Sequence, residues 1–303
     1  MIMEKWPRQG PNLHDHRLGL SPPAGAGSAR YGGRLLVGRR GVICVLGDAH
    51  LDVIVSLAGP VQPETDTPAT TSAGAGGQAA NVAAWIVALG GRARLVAAQA
   101  ADPAGRMVAG ELTGRGVELA GPVLPGRTGV VVSLSDAGRS RSMLTDRGVG
   151  TQLQAGHLRD DWFTGCTRLH LPGYSLLREP VQGAALAAAR RLPRPSVDLS
   201  STSALRDYGL DRFRALLAGL RPQTVFGTEE EAGLVGEVPG AEMVVKLGSR
   251  GVRVGGVTHA AAPVTAVDAT GAGDAFAAGY LLGGVSLGLA AAARAVATMG
   301  AMP

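Results

Sequence analysis

The stretch "VDATGAGDAFAAG", residues 267–279, decides how the chain is read, because it crowds two glycines and two aspartates between an apolar run and an alanine-rich one. The preceding "APVTAV" is extended in character, "DATGAG" is a turn, and "DAFAAGYLLGG" begins a helix. Glycines thus stand where a strand gives way to a helix N-terminus. Backbone N–H groups there lack an intrahelical partner and the helix dipole adds positive potential, so an anion is favoured and glycine lets it come close. Asp274 is out of place beside an anion unless it faces a second reactant. A hydroxyl nucleophile meets that condition: with Gly271, Ala272 and Gly273 donating N–H bonds to a phosphoryl group in transfer, Asp274 accepts the proton of the attacking alcohol. The plainer alternative is that Asp274 caps a helix and the glycines turn the chain.

Exclusions narrow the choice. The chain has two lysines, Lys5 and Lys246, so a GxxxxGKS/T phosphate loop is ruled out, and the strand lysine and HRD set of protein kinases is absent. A nucleotide site would then neutralise phosphates with backbone amides, arginine and Mg²⁺. "GAGGQA" (Gly74, Gly76, Ala79) satisfies GxGxxA, but it follows a Thr/Pro-rich stretch and not an apolar strand, which argues against dinucleotide binding. The formal net charge of +5 resides in the first forty residues, which hold seven basic and two acidic side chains. A charge-balanced remainder lacks the broad positive field of a nucleic-acid binder. Cys44 and Cys166 stand far apart in apolar surroundings without a CxxC companion and read as buried thiols of a reducing cytoplasm. The six histidines (His14, His16, His50, His157, His170, His259) show no metal-ligand spacing.

With 303 residues, 46% of them apolar, the chain can bury a substantial core. Residues 1–40, rich in Pro, Gly and Arg and free of a secretory signal, read as a disordered basic tail, with translation expected to begin near Val37. From Val42 onward, β-branched runs such as "VICVLGD" and "EMVVKLG" alternate with alanine-rich helical ones such as "AANVAAWIVALGG" and "GAALAAARRL". That rhythm argues for a mostly parallel sheet with helices on both faces. Residues 51–73 and 127–146 break it with period-2 alternation, the second folding back at "SDAGRS", and are expected to pair into a small accessory sheet. Ala275 to Ala293 approaches membrane-span length, but its Ala/Gly content and the Gly283-Gly284 interruption favour a soluble buried helix followed by a second one.

At this point the residues resemble a known family, the ribokinase-like or PfkB sugar kinases. "DATGAGD", Asp268 to Asp274, resembles their carboxy-terminal signature D-T-x-G-A-G-D. "GAGGQAANVAAWIVALGG", Gly74 to Gly91, resembles their amino-terminal one, with Gly76, Gly77 and Asn81 in positions that line the sugar site. "VLGDAHLD" resembles the first strand, whose closing Asp52 would hold substrate hydroxyls. "KLGSRGV" resembles the loop under the nucleotide, so Gly248, Ser249, Arg250 and Gly251 would border ATP. "TEEEA" falls where the family has N-x-x-E-A, which would make Glu231 the residue organising water on Mg²⁺, with Thr228 replacing the usual asparagine. A solvated helix start is the plainer reading of "TEEE".

The resemblance covers nearly all of Val42 to Pro303. It implies one three-layer α/β/α kinase domain over residues 41–303, with a mostly parallel central sheet and a β-sheet lid from about 51–73 and 127–146. It implies a cytoplasmic Mg·ATP-dependent kinase of a small sugar or sugar acid, acting on neither nucleic acid nor membrane, with Asp274 as base and a homodimer through the lid as an option. A nucleoside acceptor keeps the chemistry, and a non-catalytic ligand-binding regulator abandons it. Few aromatic side chains, four Phe, four Tyr and three Trp, favour sugars over a stacked base. Arg139 and Arg141 at the hairpin read as solvated turn residues, with reach toward a phosphorylated sugar as the alternative. Gln78 stands where ribokinases carry lysine, "DLSSTSALRDYG" after Val197 fits no single substrate class, and the ending "GAMP" leaves activation by a monovalent cation open.

Overall fold

The structure, a computed structural model, describes residues 41–135 and 141–303. The expected tail, the Val37 start and Arg139 lie outside these. The first strand, β1 (Val42–Leu46), is buried along its whole length. Ile43 and Val45 point into one apolar cluster while Cys44 and Leu46 point into another. Period-2 alternation with apolar side chains on both faces requires a cover on each side, and the helices supply it.

In chain order the elements are β2 (His50–Leu57), β3 (Ala69–Gly76), α1 (Gln78–Ala88), β4 (Ala93–Val96), α2 (Pro103–Gly114), β5 (Glu118–Ala120), β6 (Thr128–Ser135) and β7 (Arg141–Gly148). They continue with β8 (Cys166–Pro172), α3 (Val181–Arg191), β9 (Ser196–Asp198), α4 (Thr202–Tyr208), α5 (Leu210–Leu220), β10 (Thr224–Thr228) and α6 (Glu229–Val235). Last come β11 (Glu242–Lys246), β12 (Val252–Val254), β13 (Val257–His259) and α7 (Ala272–Val296). The main sheet runs β13-β12-β11-β10-β9-β8-β1-β4-β5, parallel except that β12 runs antiparallel to both its neighbours, β11 and β13. Residues of α1, α2 and α7 pack on Ile43 and Val45, and those of α3, α4 and α5 pack on Cys44 and Leu46. This is the three-layer α/β/α fold that the alternation implied.

A second sheet, β3-β2-β6-β7, stands beside the main one. Its β2 and β3 are antiparallel and its β2 and β6 parallel, so two hairpin-like units join edge to edge. α2 ties this lid to the body. The Glu111 carboxylate accepts the Ala75 N–H at 2.6 Å, and Asp102, which caps α2 through the Gly105 N–H, also accepts from Thr128 N and Oγ1. The Thr128 hydroxyl is the main reason the Asp102 carboxyl is held below the usual carboxylate range.

Two expectations need correction. "APVTAV", residues 262–267, pairs with no strand; it runs exposed past the sheet edge, so the loop before α7 follows irregular chain. The cysteines are not apart: β1 and β8 are sheet neighbours, with Val42 opposite Cys166, and the two thiols influence each other's ionisation. Cys44 is fully buried, whereas Cys166 is only half-buried, 3.8 Å from Arg94 Nη1. "GAGGQA" closes β3, one of the expected lid strands, which is polar, mostly exposed and antiparallel, unlike the buried parallel strand a dinucleotide site requires. The long apolar run is two helices, as its composition indicated: Gly283 and Gly284 leave helical geometry, and Gly279 packs against Leu287 and Gly288 of the returning segment. By length and composition α7 could cross a membrane, yet Ala275–Gly279 are buried against the sheet.

Candidate active site

The carboxyl ends of parallel strands leave backbone groups unpaired and adjoining loops free to diverge, so ligands collect there. Here that edge carries Asp48 after β1, Asp198 closing β9, Thr228 closing β10 and Lys246 closing β11. The N-termini of α1 and α7 meet at the same edge. Asn81 in the first turn of α1 and Asp274 in the first turn of α7 approach so closely that Asn81 Nδ2 donates to Asp274 Oδ2 at 2.8 Å.

Burial pushes the Asp274 carboxyl up to about 7. The Asn81 amide and Lys246 pull it down, and the Asp198 and Asp48 carboxylates push it up. A carboxylate that titrates near neutrality is suited to proton abstraction from an alcohol. The side chain is neither capping α7 nor paired with a cation, so the plainer capping reading does not describe it.

Beside it the loop 268–271 is braced from three sides. Asp268 Oδ1 accepts from Thr270 N and Oγ1 at 2.9 and 2.5 Å, and Oδ2 accepts from Gly300 N at 3.0 Å. Trp85 Nε1 donates to Ala301 O at 2.9 Å, holding the 300–301 segment against α1. Gly271 has φ 73°, and a Cβ there would come within 2.6 Å of Ala301 Cα, so glycine is required twice over. Of the three amides singled out in sequence, Ala272 N–H is turned to the Ala269 carbonyl at 3.3 Å, which leaves Gly271 and Gly273 as the freer donors.

On the acceptor side Asp52, Gly76, Gly77 and Asn81 come together. Gly76 is obligatory because a Cβ there would lie 2.2 Å from Asp52 Cγ. His50 Nε2 is 3.0 Å from Asp52 Oδ1 without hydrogen-bond alignment, and among the described residues Asp52 Oδ1 and Asn81 Oδ1 are buried with no hydrogen-bond partner. Two unsatisfied carbonyl-type oxygens are a costly feature unless a ligand supplies hydroxyls.

The nucleotide-side residues form a second group. Thr228 and Glu231 make a reciprocal capping box: Glu231 N donates to Thr228 Oγ1 at 3.3 Å and Thr228 N donates to Glu231 Oε2 at 2.8 Å. Glu231 is nonetheless buried, with its charge raising the pKa of Lys246. Gly248–Arg250 form a single turn after β11, flanked by Gly251 at φ 100°, with Ser249 exposed and Arg250 ion-paired to Glu229. Among the described residues no group of three or more His, Cys, Asp or Glu side chains is arranged to hold a metal.

Lys246, Asp198, Asp48, His50 and Arg147 are site residues that sequence reading did not assign. Lys246 Nζ donates to the buried Asp198 Oδ2 at 2.7 Å and lies against Gly273, 3.2 Å from where a Cβ would stand. Burial opposes its charge, but Asp198, then Glu231 and Asp274, hold its pKa above the ordinary lysine value. The signal was available: a lysine ending an otherwise apolar strand in a chain with two lysines. Gln78 accepts from Ser200 Oγ at 2.5 Å, and Ser200 also accepts the Gly173 N–H, so Gln78 fastens two loops together.

The sequence model of "pfkB family carbohydrate kinase" matches residues 41–302. An ATP-dependent ribose-1-phosphate kinase of Halopiger xanaduensis is 29% identical over 253 residues, 79% of this chain and 84% of that protein. The crystal structure of adenosine kinase from Sinorhizobium meliloti is 22% identical and superposes with a TM-score of 0.73, covering 87% of this chain and 96% of that one. An E. coli protein solved with ATP and Mg²⁺ is also 22% identical, with a TM-score of 0.72 over 86% of this chain and 94% of that one.

Proposed function

We propose, since this chain belongs to the pfkB family of carbohydrate kinases and is an ATP-dependent phosphotransferase, that Asp274 removes the proton of an acceptor hydroxyl as the γ-phosphoryl group passes to it. The observation that carries this assignment is the pairing of Asp274 with Asn81, which joins a base titrating near 7 to the acceptor-side helix. The amides of Gly271 and Gly273, with Lys246 beneath them, stabilise the transferring group; Ala272 shapes the turn between them. Asp52 and Asn81 hold the acceptor through their two open oxygens, which suit neighbouring hydroxyls of a sugar. Gly76 and Gly77 leave room for it.

Gly248, Ser249, Gly251 and Thr228 border the nucleotide, and Arg250 flanks it through Glu229. Mg²⁺, when bound with ATP, would offset phosphate charge, and Glu231 is the carboxylate suited to hold its water. The relative acting on ribose-1-phosphate directs the acceptor class toward pentose derivatives. The protein is placed in the cytoplasm, where ATP is available. Exposed Met143 and Leu144 on β7 support two lids pairing in a homodimer.

Initial rates with Mg·ATP on sugars, sugar acids, sugar phosphates and nucleosides test the reading. Turnover on a sugar derivative is expected, with Asp274→Asn lowering kcat by roughly 10³-fold while nucleotide binding persists. Comparable activity in Asp274→Asn would overturn the assignment, and a marked preference for nucleosides would move the acceptor to that class.

A further inference from the structure

Arg147 stands at the foot of the lid strand β7 and descends toward the acceptor-side residues. Its guanidinium carbon lies 4.4 Å from the centroid of the Tyr174 ring, and Nη1 lies 3.6 Å from Asp48 Oδ2. The latter distance is an ionic contact and too long for a hydrogen bond. Among the described residues the guanidinium donates no hydrogen bond at all, although its side chain is only 24% exposed. Its nitrogens are not among the buried unpartnered atoms, so they open onto water-accessible space, where an anion can replace solvent with charge-assisted hydrogen bonds to the planar fork.

The surroundings say where that anion would sit. Asp48 Oδ1 accepts the Ala79 N–H at 3.2 Å, at the start of α1, and Asp48 Oδ2 is 3.7 Å from His50 Nδ1. His50 in turn contacts Asp52. A chain of contacts, Arg147 to Asp48 to His50 to Asp52, therefore connects the unspent guanidinium to the carboxylate assigned to the acceptor. Tyr174 presents its face to Arg147 and so is not free to stack a base, while it fixes the plane in which the N–H donors point.

We infer that Arg147 is the specificity residue for a phosphate on the acceptor, so that the substrate is a phosphorylated pentose and not a free sugar. A tetrahedral phosphate offers three terminal oxygens to a planar fork, where a neutral sugar offers none of like charge. The inference rests on the kinase reading above and deepens it. Because Arg147 and Asp52 both belong to the lid sheet and Asp274 to the body, a phosphorylated acceptor held by the first two and presented to the third bridges lid and body and favours the shut form.

The test uses the full-length protein with Mg·ATP on ribose-1-phosphate, ribose and ribonate, for wild type, Arg147→Met and Arg147→Lys. Wild type is expected to favour ribose-1-phosphate over ribose in kcat/KM by about 100-fold, the scale of losing a half-buried charged contact. Arg147→Met loses most of that ratio, chiefly through KM, and Arg147→Lys falls between. A wild type that prefers ribose, or ribonate over the phosphate, overturns the inference, as does an unchanged ratio in Arg147→Met. Where Arg147→Met fails to fold by circular dichroism, the wild-type preference and Arg147→Lys decide. Turnover on ribose alone would sink only the role of Arg147; turnover on no acceptor, nucleosides included, would sink the kinase reading beneath it.

Discussion

Asn81 and Asp274, 193 residues apart in the chain, share a 2.8 Å hydrogen bond in which the amide donates to the carboxylate. The bond joins the first turns of α1 and α7, and it stabilises the ionised acid against the burial that opposes it.

The pH dependence follows. With a folded pKa of about 7, kcat falls as pH drops through neutrality and the base is protonated. Asn81→Leu removes a group that favours the charged form, so the acidic limb of its pH–rate profile moves to higher pH. Stability runs the other way. Between about 4 and 7 the folded state keeps the proton that the unfolded chain releases, so this acid's contribution to stability shrinks as pH rises across that window. Asp274→Asn should therefore melt a few °C above wild type at pH 8, on the order of 1 kcal/mol, with the difference vanishing near pH 4.

The Lys246–Asp198 pair is the second target. Asp198 is 1% exposed, so Lys246→Met leaves a buried carboxylate without its counter-charge and should cost about 3–5 kcal/mol in urea unfolding. Adding Asp198→Asn recovers most of that stability. Activity is not recovered in the double variant, because the cation beside Gly273 is gone; recovery of kcat with the fold would remove Lys246 from the phosphoryl corner.

The thiol pair makes a chemical prediction. The neighbouring Cys44 thiol, aided by the Arg94 guanidinium, holds the Cys166 thiol down to about 7, while the same neighbourhood and burial push Cys44 up. Iodoacetamide should modify Cys166 with a rate half-maximal near pH 7, and Cys44 only after unfolding, as read by peptide mass analysis.

Much of the fold was legible because parallel strands such as Val42–Leu46 are apolar on both faces and Ala-rich helices alternate with them. The lid strands were legible from period-2 alternation, and the signature loop from its glycines. What stayed hidden were pairings across the sheet. Cys44 and Cys166 looked remote because strand order is not sequence order. Lys246 and Asp198 each close a strand, and only the β9-β10-β11 stacking reveals that they meet. Arg147 carried no signal in the sequence, since an open guanidinium is a statement about missing neighbours. "APVTAV" misled because β propensity near a sheet edge does not guarantee a partner.

The brace from Gly300 and Ala301 onto Asp268 and Trp85 has a bearing on biosynthesis. Because these contacts come from residues synthesised some thirty positions after the signature loop, a nascent chain still inside the ribosome tunnel holds that loop without its buttress. Ribosome-tethered protein should consume no ATP until Ala301 has cleared the exit.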